Sequence, residues 1–276
     1  MELDRLSVLI DGLRPSVRLF LNRPNVAESE HDALCGVSVP QLSLNLILSI
    51  APLQNALPEP NVCQLVVCGG LKQSRALKQT DARAAVAQPN VLITRFDVNF
   101  EGPIGGPIGG LIAAQLAKPL SINLNEASSC LSNAVQLIAQ ELKVQRCGQS
   151  AMLRRSGDVL LICLLRHLIA NPPHATGLFQ GLADCRVAKT LVAMHTNPSA
   201  QWTLESLAIE AGMSRTAFAT HFSSVMNISA GKYLEQLRIA IANHLVAKGA
   251  GLKQAAKESG YASTSTLCRA LSRCSQ

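Results

Sequence analysis

Two polar segments near the C-terminus carry the side chains best suited to binding another molecule. Each begins with a serine and combines hydroxyl groups with an arginine. The members are Ser214, Arg215, Thr216, Thr220 and His221 in the first segment and Ser263, Ser265, Thr266 and Arg269 in the second. Such side chains bond phosphate oxygens and base edges, and a guanidinium can hold a guanine through two hydrogen bonds. The pattern therefore predicts contact with nucleic acid.

An internal repeat positions these two segments. Residues 204–212 (LESLAIEAG) and 252–260 (LKQAAKESG) share Leu, Ala and Gly at the same offsets, 48 residues apart. In a helix-turn-helix, a small residue lets the second helix cross closely, and a glycine adopts the left-handed turn. We therefore predict two helix-turn-helix units, with Thr203 capping the first helix of the first unit.

Each polar segment also has an apolar side that a helix would bury. Phe218 and Phe222 are four residues apart in the first segment, and Leu267 and Leu271 repeat that spacing in the second. Helical periodicity places such pairs on one face. The polar residues are then left on the opposite, outward face.

Helix starts and a connecting helix complete the predicted arrangement. Ser214 and Ser263 occupy N-cap positions, where backbone N–H groups can also receive a phosphate. Residues 230–247 form one long predicted helix, which would hold the two polar helices in successive major grooves, about 34 Å apart. The alternative is a helical bundle without a nucleic-acid role.

The basic surplus lies in the same part of the chain. The 276 residues have a formal net charge of +7 and 48% hydrophobic residues, so the chain can form a core and is not a disordered polyelectrolyte. Residues 183–276 carry ten Lys or Arg and five Asp or Glu, a net +5. The first 182 residues carry fifteen against thirteen, a net +2. This distribution favours an anionic partner for the C-terminal part.

The N-terminal part is typical of β structure up to about residue 110. Leu42–Leu48, Val62–Cys68 and Val91–Ile93 are short apolar segments separated by Pro, Gly and Asn. They predict a small sandwich or barrel. Residues 101–110 read EGPIGGPIGG, and this composition predicts that regular structure stops there.

Two helices and a linker are predicted between these parts. Ser128–Lys143 has apolar residues at steps of three and four, and Gln149–Ala170 is nearly apolar all round over its latter half. The second helix therefore predicts either a dimer contact or burial within one chain. Residues 174–182 are predicted to be a linker.

Three segments carry a family resemblance: Trp202–Ala208, Ala211–Phe218 and Gly260–Ser263 resemble the DNA-binding domain of AraC/XylS-type transcription regulators. Residues 181–198 are similar to that domain's lead-in helix, and residues 148–170 resemble the subgroup with an N-terminal cupin-like sensor.

The resemblance implies an α+β fold in two domains. Residues 1–174 would form a cupin-like β-barrel with a helical dimerisation segment. Residues 175–276 would form an all-α domain of two helix-turn-helix units joined by a long helix. The implied partners are double-stranded promoter DNA, a second copy of the chain, RNA polymerase and a small-molecule effector.

Enzyme chemistry and a membrane location are not predicted. The expected barrel has one histidine, His31, whereas a cupin metal site needs converging histidines and a carboxylate. We therefore expect no metal, no cofactor and no catalytic residue. No run of about 18 apolar residues and no secretory signal are visible, which favours the cytoplasm.

The cysteines suggest a second kind of signal. The nine cysteines include no C-x-x-C pair. Some relatives in the resembling subgroup detect oxidants through sensor-domain cysteines, which makes five cysteines candidates. These are Cys35, Cys63, Cys68, Cys130 and Cys147. The alternative is that they are small core residues.

The sequence as a whole predicts a sequence-specific DNA-binding transcription regulator. A small molecule or cysteine oxidation in the N-terminal domain would control it. The alternative is a small-molecule-binding cupin-like protein whose helical C-terminal part serves protein assembly.

Overall fold

The computed structural model describes residues 4–21, 41–49, 64–69, 91–144 and 146–274. Strands and helices follow one another in chain order, with the strands in the first half. The strands are β1 (Pro15–Leu21), β2 (Gln41–Ser49), β3 (Gln64–Gly69), β4 (Val91–Phe100) and β5 (Leu120–Asn123). The helices of the first part are α1 (Arg5–Leu13), α2 (Gly105–Gln115), α3 (Ser129–Lys143) and α4 (Gln149–Ala170). The helices of the last part are α5 (Leu178–Ala183), α6 (Cys185–Thr196), α7 (Leu204–Ala211), α8 (Arg215–Met226), α9 (Ala230–Ala247), α10 (Leu252–Glu258) and α11 (Thr264–Cys274).

The five strands form one sheet in the order β1-β4-β2-β3-β5. The pairs β2–β4, β2–β3 and β3–β5 are antiparallel, and Leu44 stands opposite Phe96 on one side and Val67 on the other. Phe96 and Val67 are fully buried. The predicted strands at Leu42–Leu48 and Val91–Ile93 are confirmed. Closure of this sheet into a barrel stays a prediction.

The chain divides into two compact units. The helical unit comprises Met1–Arg14, Phe100–Leu111 and Leu168–Gln276, and the sheet unit comprises Pro15–Asn99 and Ile112–His167. The helical unit is therefore assembled from three separate parts of the sequence.

Backbone hydrogen bonds join the two N-terminal parts of the helical unit. The N–H of Gly102 donates to the carbonyl of Leu13 at 2.8 Å, and the N–H of Ile104 donates to that of Gly12 at 3.3 Å. Within the same unit, α1 contacts α6. These contacts place α1 beside the C-terminal helices.

The Pro- and Gly-rich segment differs from its prediction. We expected regular structure to stop over residues 101–110, but α2 begins at Gly105. Pro107 is tolerated because it lies in the first turn, where its missing N–H has no helical acceptor. A Cβ atom at Gly105 or Gly109 would collide with Phe100, so this helix needs glycine for close packing.

The two predicted helices of the sheet unit are present as α3 and α4. On α3, Leu131, Val135 and Ile138 are buried at steps of four and three. On α4, Leu160 and Leu164 are fully buried, one turn apart. Both helices therefore use their apolar periodicity for internal packing.

The predicted linker at 174–182 is wrong over its second half. Residues 178–183 form α5, and Leu178, Phe179 and Leu182 are buried there. The N–H of Gly177 donates to the carbonyl of Val225 at 2.8 Å, which ties the start of α5 to the end of α8. The segment is part of the helical core because its aromatic and leucine side chains gain by burial.

His195 of α6 and Tyr233 of α9 form a buried pair in the helical unit. His195 Nε2 lies 2.6 Å from Tyr233 Oη. Phe222 of α8 packs edge-on against Tyr233 with ring centroids 6.2 Å apart. Three helices thus converge on one tyrosine.

None of the helices in the described part of the chain is both long enough and apolar enough to cross a bilayer.

The buried histidine predicts how stability depends on pH. Burial lowers the pKa of His195 to about 4 from its ordinary value of 6.5. Above pH 6.5, His195 is neutral in both the folded and the unfolded chain, and the free energy of unfolding is unaffected. Below pH 6.5 the unfolded chain takes up the proton first, so the free energy of unfolding falls until the pH reaches about 4, by up to about 3 kcal/mol in total. Urea unfolding across this range should show this loss in the wild type and not in His195→Gln.

Tyr233→Phe is the matched control for this measurement. It removes the hydrogen bond to His195 and keeps the burial that causes the pKa shift. It should therefore retain most of the pH dependence. Equal pH dependence in the wild type and His195→Gln would contradict the assignment.

Candidate nucleic-acid interface

The first helix-turn-helix unit consists of α7, a short turn and α8. Thr203 caps α7, because its side chain accepts the N–H of Ser206 at 3.1 Å, while the Ser206 hydroxyl accepts the N–H of Thr203 at 2.9 Å. At the turn, Gly212 has a φ of 64°, and the N–H of Met213 donates to the carbonyl of Ala208 at 2.9 Å. Ala208 is buried, as a close helix crossing requires.

The second unit repeats this turn. Gly260 has a φ of 81°, and the N–H of Tyr261 donates to the carbonyl of Ala256 at 2.8 Å. Ala256 is buried, like Ala208 in the first unit. The predicted repeat is therefore confirmed in three dimensions, with the same left-handed glycine and the same closing hydrogen bond.

The starts of both polar helices are capped by serine. Ser214 Oγ accepts the N–H of Ala217 at 3.4 Å, and Ser263 Oγ accepts the N–H of Thr266 at 3.2 Å. Both serines are exposed. These N-terminal turns are therefore accessible to a bound anion.

The apolar sides of the two polar helices point inward. Phe218 and Phe222 are fully buried with ring centroids 5.5 Å apart. Leu267 is buried in a cluster that includes Ala242 of α9, and Leu271 packs against that cluster. The inward orientation leaves the polar residues of α8 and α11 on the outside.

Arg215, Thr216 and Thr220 are exposed on α8. The guanidinium of Arg215 lies 2.9 Å from Glu205 of α7, and their side chains are 66% and 56% exposed. An ion pair in such an exposed setting contributes at most about 1 kcal/mol. An incoming phosphate or guanine can therefore replace the carboxylate.

His221 is directed toward another helix. Its Nε2 lies 2.8 Å from Asp184 Oδ2, and this carboxylate also caps α6 by accepting the N–H groups of Arg186 and Val187. Burial tends to raise the pKa of Asp184, but hydrogen bonds from Val187, His221 and Arg186 outweigh it and hold that pKa below its ordinary value. This contact fixes α8 to the N-terminus of α6.

The second polar helix presents a cluster of hydroxyl groups. Ser263 Oγ lies 2.9 Å from Ser265 Oγ and 2.6 Å from Thr266 Oγ1. Arg269 is exposed one turn further along, and its Nε makes a long contact of 3.4 Å with the carbonyl of Ser265. Neutral hydroxyl donors and one cation are therefore gathered at the start of α11.

The two units differ in charge. Residues 203–226 have one arginine and two glutamates, a net −1, whereas residues 251–276 have two lysines, two arginines and one glutamate, a net +3. Lys253 and Lys257 are exposed one turn apart on α10. Neither lysine was among the predicted site residues, although their spacing of four residues places them on one face of a helix.

Arg238 of α9 is a second residue whose role the sequence did not reveal. Its Nε donates to the carbonyl of Pro198 at 2.9 Å, and its Nη2 donates to that of Ala200 at 2.7 Å. A Cβ atom built on Gly260 would lie 3.1 Å from Arg238 Nε and 2.7 Å from Ser199 Cα. Arg238 therefore joins the segment before α7 to α9, close to the turn of the second unit.

The candidate cysteines are distributed unevenly over the structure. Cys35 and Cys63 lie outside the described residues, and Cys68 lies in β3. Cys147 is exposed just before α4. Cys130 is exposed in the first turn of α3 and lies close to a sixth cysteine, Cys163 of α4.

Comparison with known families assigns both parts of the chain. A model described as a helix-turn-helix domain matches residues 207–275, and a model described as a cupin matches residues 67–170. The chain therefore combines an N-terminal cupin domain with a C-terminal helix-turn-helix domain. Residues 207–275 thus match an AraC-type helix-turn-helix domain.

Curated relatives agree with this assignment. An HTH-type transcriptional regulator of Haemophilus influenzae is 30% identical over 152 residues, covering 55% of this chain and 51% of that protein. An AraC-like transcription regulator of Streptomyces antibioticus is 34% identical, covering 51% of this chain and 47% of that protein. AlkR of Acinetobacter baylyi is 28% identical, covering 57% of this chain and 53% of that protein. The chain thus spans about half the length of the curated relatives it matches.

Solved structures of ToxT from Vibrio cholerae are similar over most of the chain. The unsaturated fatty acid-bound protein of strain SCE256 has a TM-score of 0.37 and 10% identity, covering 94% of this chain and 90% of that one. ToxT of strain O395 has a TM-score of 0.35 and 12% identity, covering 93% and 91%.

The two turns provide a matched pair of substitutions. A Cβ atom at Gly212 meets nothing within 4 Å, whereas one at Gly260 meets Ser199 and Arg238. Gly212→Ala should lower the free energy of unfolding by about 1–2 kcal/mol, because alanine disfavours a left-handed φ. Gly260→Ala should lower the free energy of unfolding by about 1–3 kcal/mol more than Gly212→Ala does, because the backbone at Ser199 must move. Urea unfolding of both variants measures the difference, and equal losses would contradict the close approach at Gly260.

Proposed function

We propose that the chain is a sequence-specific DNA-binding transcription regulator. It would insert α8 and α11 into successive major grooves of double-stranded promoter DNA. The observation that carries this proposal is the repeated turn, which presents an exposed polar helix in each unit and backs both helices with α9. A single turn of this kind also occurs in helical bundles, but two copies with the same closing hydrogen bond favour a two-site reader.

The two units would make different kinds of contact with DNA. In the first unit, where the net charge is −1, Arg215, Thr216 and Thr220 would read base edges, since little charge is available for backbone attraction. Ser214 would receive a phosphate at the start of α8. His221 would act by holding α8 against Asp184 rather than by reaching the bases.

The second unit would supply most of the attraction to the phosphate backbone. Its net charge of +3 includes Lys253 and Lys257, which we propose as phosphate contacts. The hydroxyl groups of Ser263, Ser265 and Thr266 and the guanidinium of Arg269 would contact the second groove. These groups are compatible with either phosphate or base contacts.

The N-terminal domain would act as the sensor. We propose that residues 1–174 form the cupin-like sensor and dimerisation domain and that residues 175–276 form the DNA-binding domain. The match of a cupin model to residues 67–170 supports a sensor that binds a small-molecule effector. Cysteine oxidation is the second form of control that we propose, because the domain contains exposed thiols.

A homodimer would form along α4. Met152 and Val159 are exposed apolar residues seven positions apart, and Ile162 and Ile169 are half-buried residues that are also seven positions apart. This heptad spacing is that of a coiled-coil seam between two copies. Two copies would place four polar helices on the promoter and raise affinity through multivalency.

The remaining parts of the proposal follow from action at a promoter. Such a regulator would work in the cytoplasm and would contact RNA polymerase. The curated relatives are named as regulators, and the proposal includes no catalytic step, no metal and no cofactor.

Substitution of Arg215 tests base reading directly. Gel retardation should be measured on a duplex enriched from a random pool and on an unrelated duplex. Arg215→Ala should weaken binding to the enriched duplex by about 10- to 100-fold, which is the effect of losing one arginine–guanine contact. It should weaken binding to the unrelated duplex far less. Arg186→Ala is the charge-matched control, because Arg186 is exposed on α6 outside both units.

Two results would contradict the proposal. An equal loss on both duplexes would remove the base-reading role of Arg215. No retardation of any duplex by the wild type, with or without oxidant, would favour the cupin-like protein whose helical part serves assembly.

A further inference from the structure

Cys130 and Cys163 bring their sulfur atoms together although they are 33 residues apart in the sequence. Cys130 Sγ lies 2.7 Å from Cys163 Sγ. Cys130 is in the first turn of α3, and Cys163 is in the middle of α4, so two packed helices of the sheet unit create the contact. The bond length of a disulfide is about 2.05 Å. Only a small approach of the two sulfurs therefore separates this contact from a covalent bond.

The two thiols differ in accessibility. Cys130 is exposed, whereas Cys163 is buried. Burial, together with the hydrogen bond and the negative charge of a Cys130 thiolate, raises the pKa of Cys163 to about 11, while Arg166 opposes the shift. Cys163 is therefore a protonated thiol at neutral pH. Cys130 is the sulfur that a dissolved oxidant can reach.

We propose that Cys130 and Cys163 form a reversible dithiol–disulfide site that reacts with hydroperoxides. Cys163 was not among the cysteines that the sequence singled out. The inference deepens the proposed oxidation control by naming the pair that would carry it, and only in that respect rests on the proposed function.

The reaction proceeds in two balanced steps. The Cys130 thiolate attacks the peroxide, so that a sulfur–oxygen bond forms, the oxygen–oxygen bond breaks and hydroxide, or an alkoxide, leaves. The Cys163 sulfur then attacks the sulfenic acid of Cys130, the sulfur–sulfur bond forms, and the sulfenic oxygen leaves as water with the Cys163 proton. The two thiols lose two electrons in total, which the peroxide gains. A dithiol reductant reverses the reaction by thiol–disulfide exchange.

Geometry favours this pair over Cys147, another exposed cysteine among the described residues of the same unit. Cys147 is also exposed, but the 2.7 Å contact of Cys130 is with Cys163. A sulfenic acid at Cys130 would therefore meet its resolving thiol at once. That proximity protects Cys130 from the irreversible higher oxides.

Mass spectrometry of the full chain tests the pair without DNA. The reduced protein is treated with one equivalent of hydrogen peroxide, remaining thiols are alkylated, and trypsin is added. Cleavage after Lys and Arg places Cys130 on the fragment 96–143, Cys147 on 147–154 and Cys163 on 156–166. We expect the fragments 96–143 and 156–166 to be joined, with the link lost on treatment with dithiothreitol.

Variants identify the order of the steps. Cys163→Ser should leave a sulfenic acid on Cys130 that dimedone traps, and Cys130→Ser, at an exposed position, should abolish the link while the fold is retained. Cys147→Ser is the matched control and should form the link as the wild type does. The wild-type digest decides the proposal even where Cys163→Ser fails to fold.

The proposal is overturned if folded wild-type protein leaves Cys163 alkylatable, or joins Cys130 to a different cysteine. Gel retardation of the same reduced sample separates this outcome from failure of the proposed function. A chain that binds DNA but forms no link contradicts the cysteine pair alone. A chain that forms the link but retards no DNA supports the pair and contradicts the proposed DNA-binding function.

Discussion

The arrangement of both helix-turn-helix units depends on the hydrogen bonds that the guanidinium of Arg238 donates. It satisfies the carbonyls of Pro198 and Ala200, and Gly260 approaches the same place closely. One side chain of α9 therefore meets the segment that enters the first unit and lies beside the turn of the second. The carbonyl of Ala200 also accepts the N–H of Trp202 at 2.8 Å. The carbonyl of Pro198, left without the Arg238 donor in a half-buried site, would cost free energy, so the chain has a physical reason to keep this geometry. The packing of Phe218 and Leu267 then orients α8 and α11 outward.

Local patterns in the sequence predicted most of the helical unit. The bounds of α9, the left-handed Gly212 and Gly260, and the inward Phe218 and Phe222 all follow from spacing within a few residues. The same local reasoning failed for α2 and α5. Their residues look like loop or linker, and they fold as helices because tertiary packing overrides composition, as when the glycines of α2 approach Phe100.

Contacts between distant residues account for what the sequence could not reveal about the sites. His221 has the position of a DNA-facing residue on α8, but the carboxylate that binds it is 37 residues earlier in the chain. Arg215 likewise meets Glu205, a residue of another helix. In the sequence, Cys163 cannot be told apart from the apolar residues around it in α4. The packing of α3 against α4 shows that it faces Cys130. Charge totals per unit, by contrast, were available from composition alone, and they support different roles for the two units.

The most direct test of DNA binding by both units is a hydroxyl-radical footprint of the reduced chain on a duplex enriched for binding. If α8 and α11, both backed by α9, enter successive grooves, each chain should protect two tracts of DNA. These tracts should be separated by about one helical turn, roughly 10 base pairs. Loss of Arg238 should leave the two tracts less well defined, because the units then lose their common support. A single protected tract for each chain, unchanged when α11 is altered, would contradict the account.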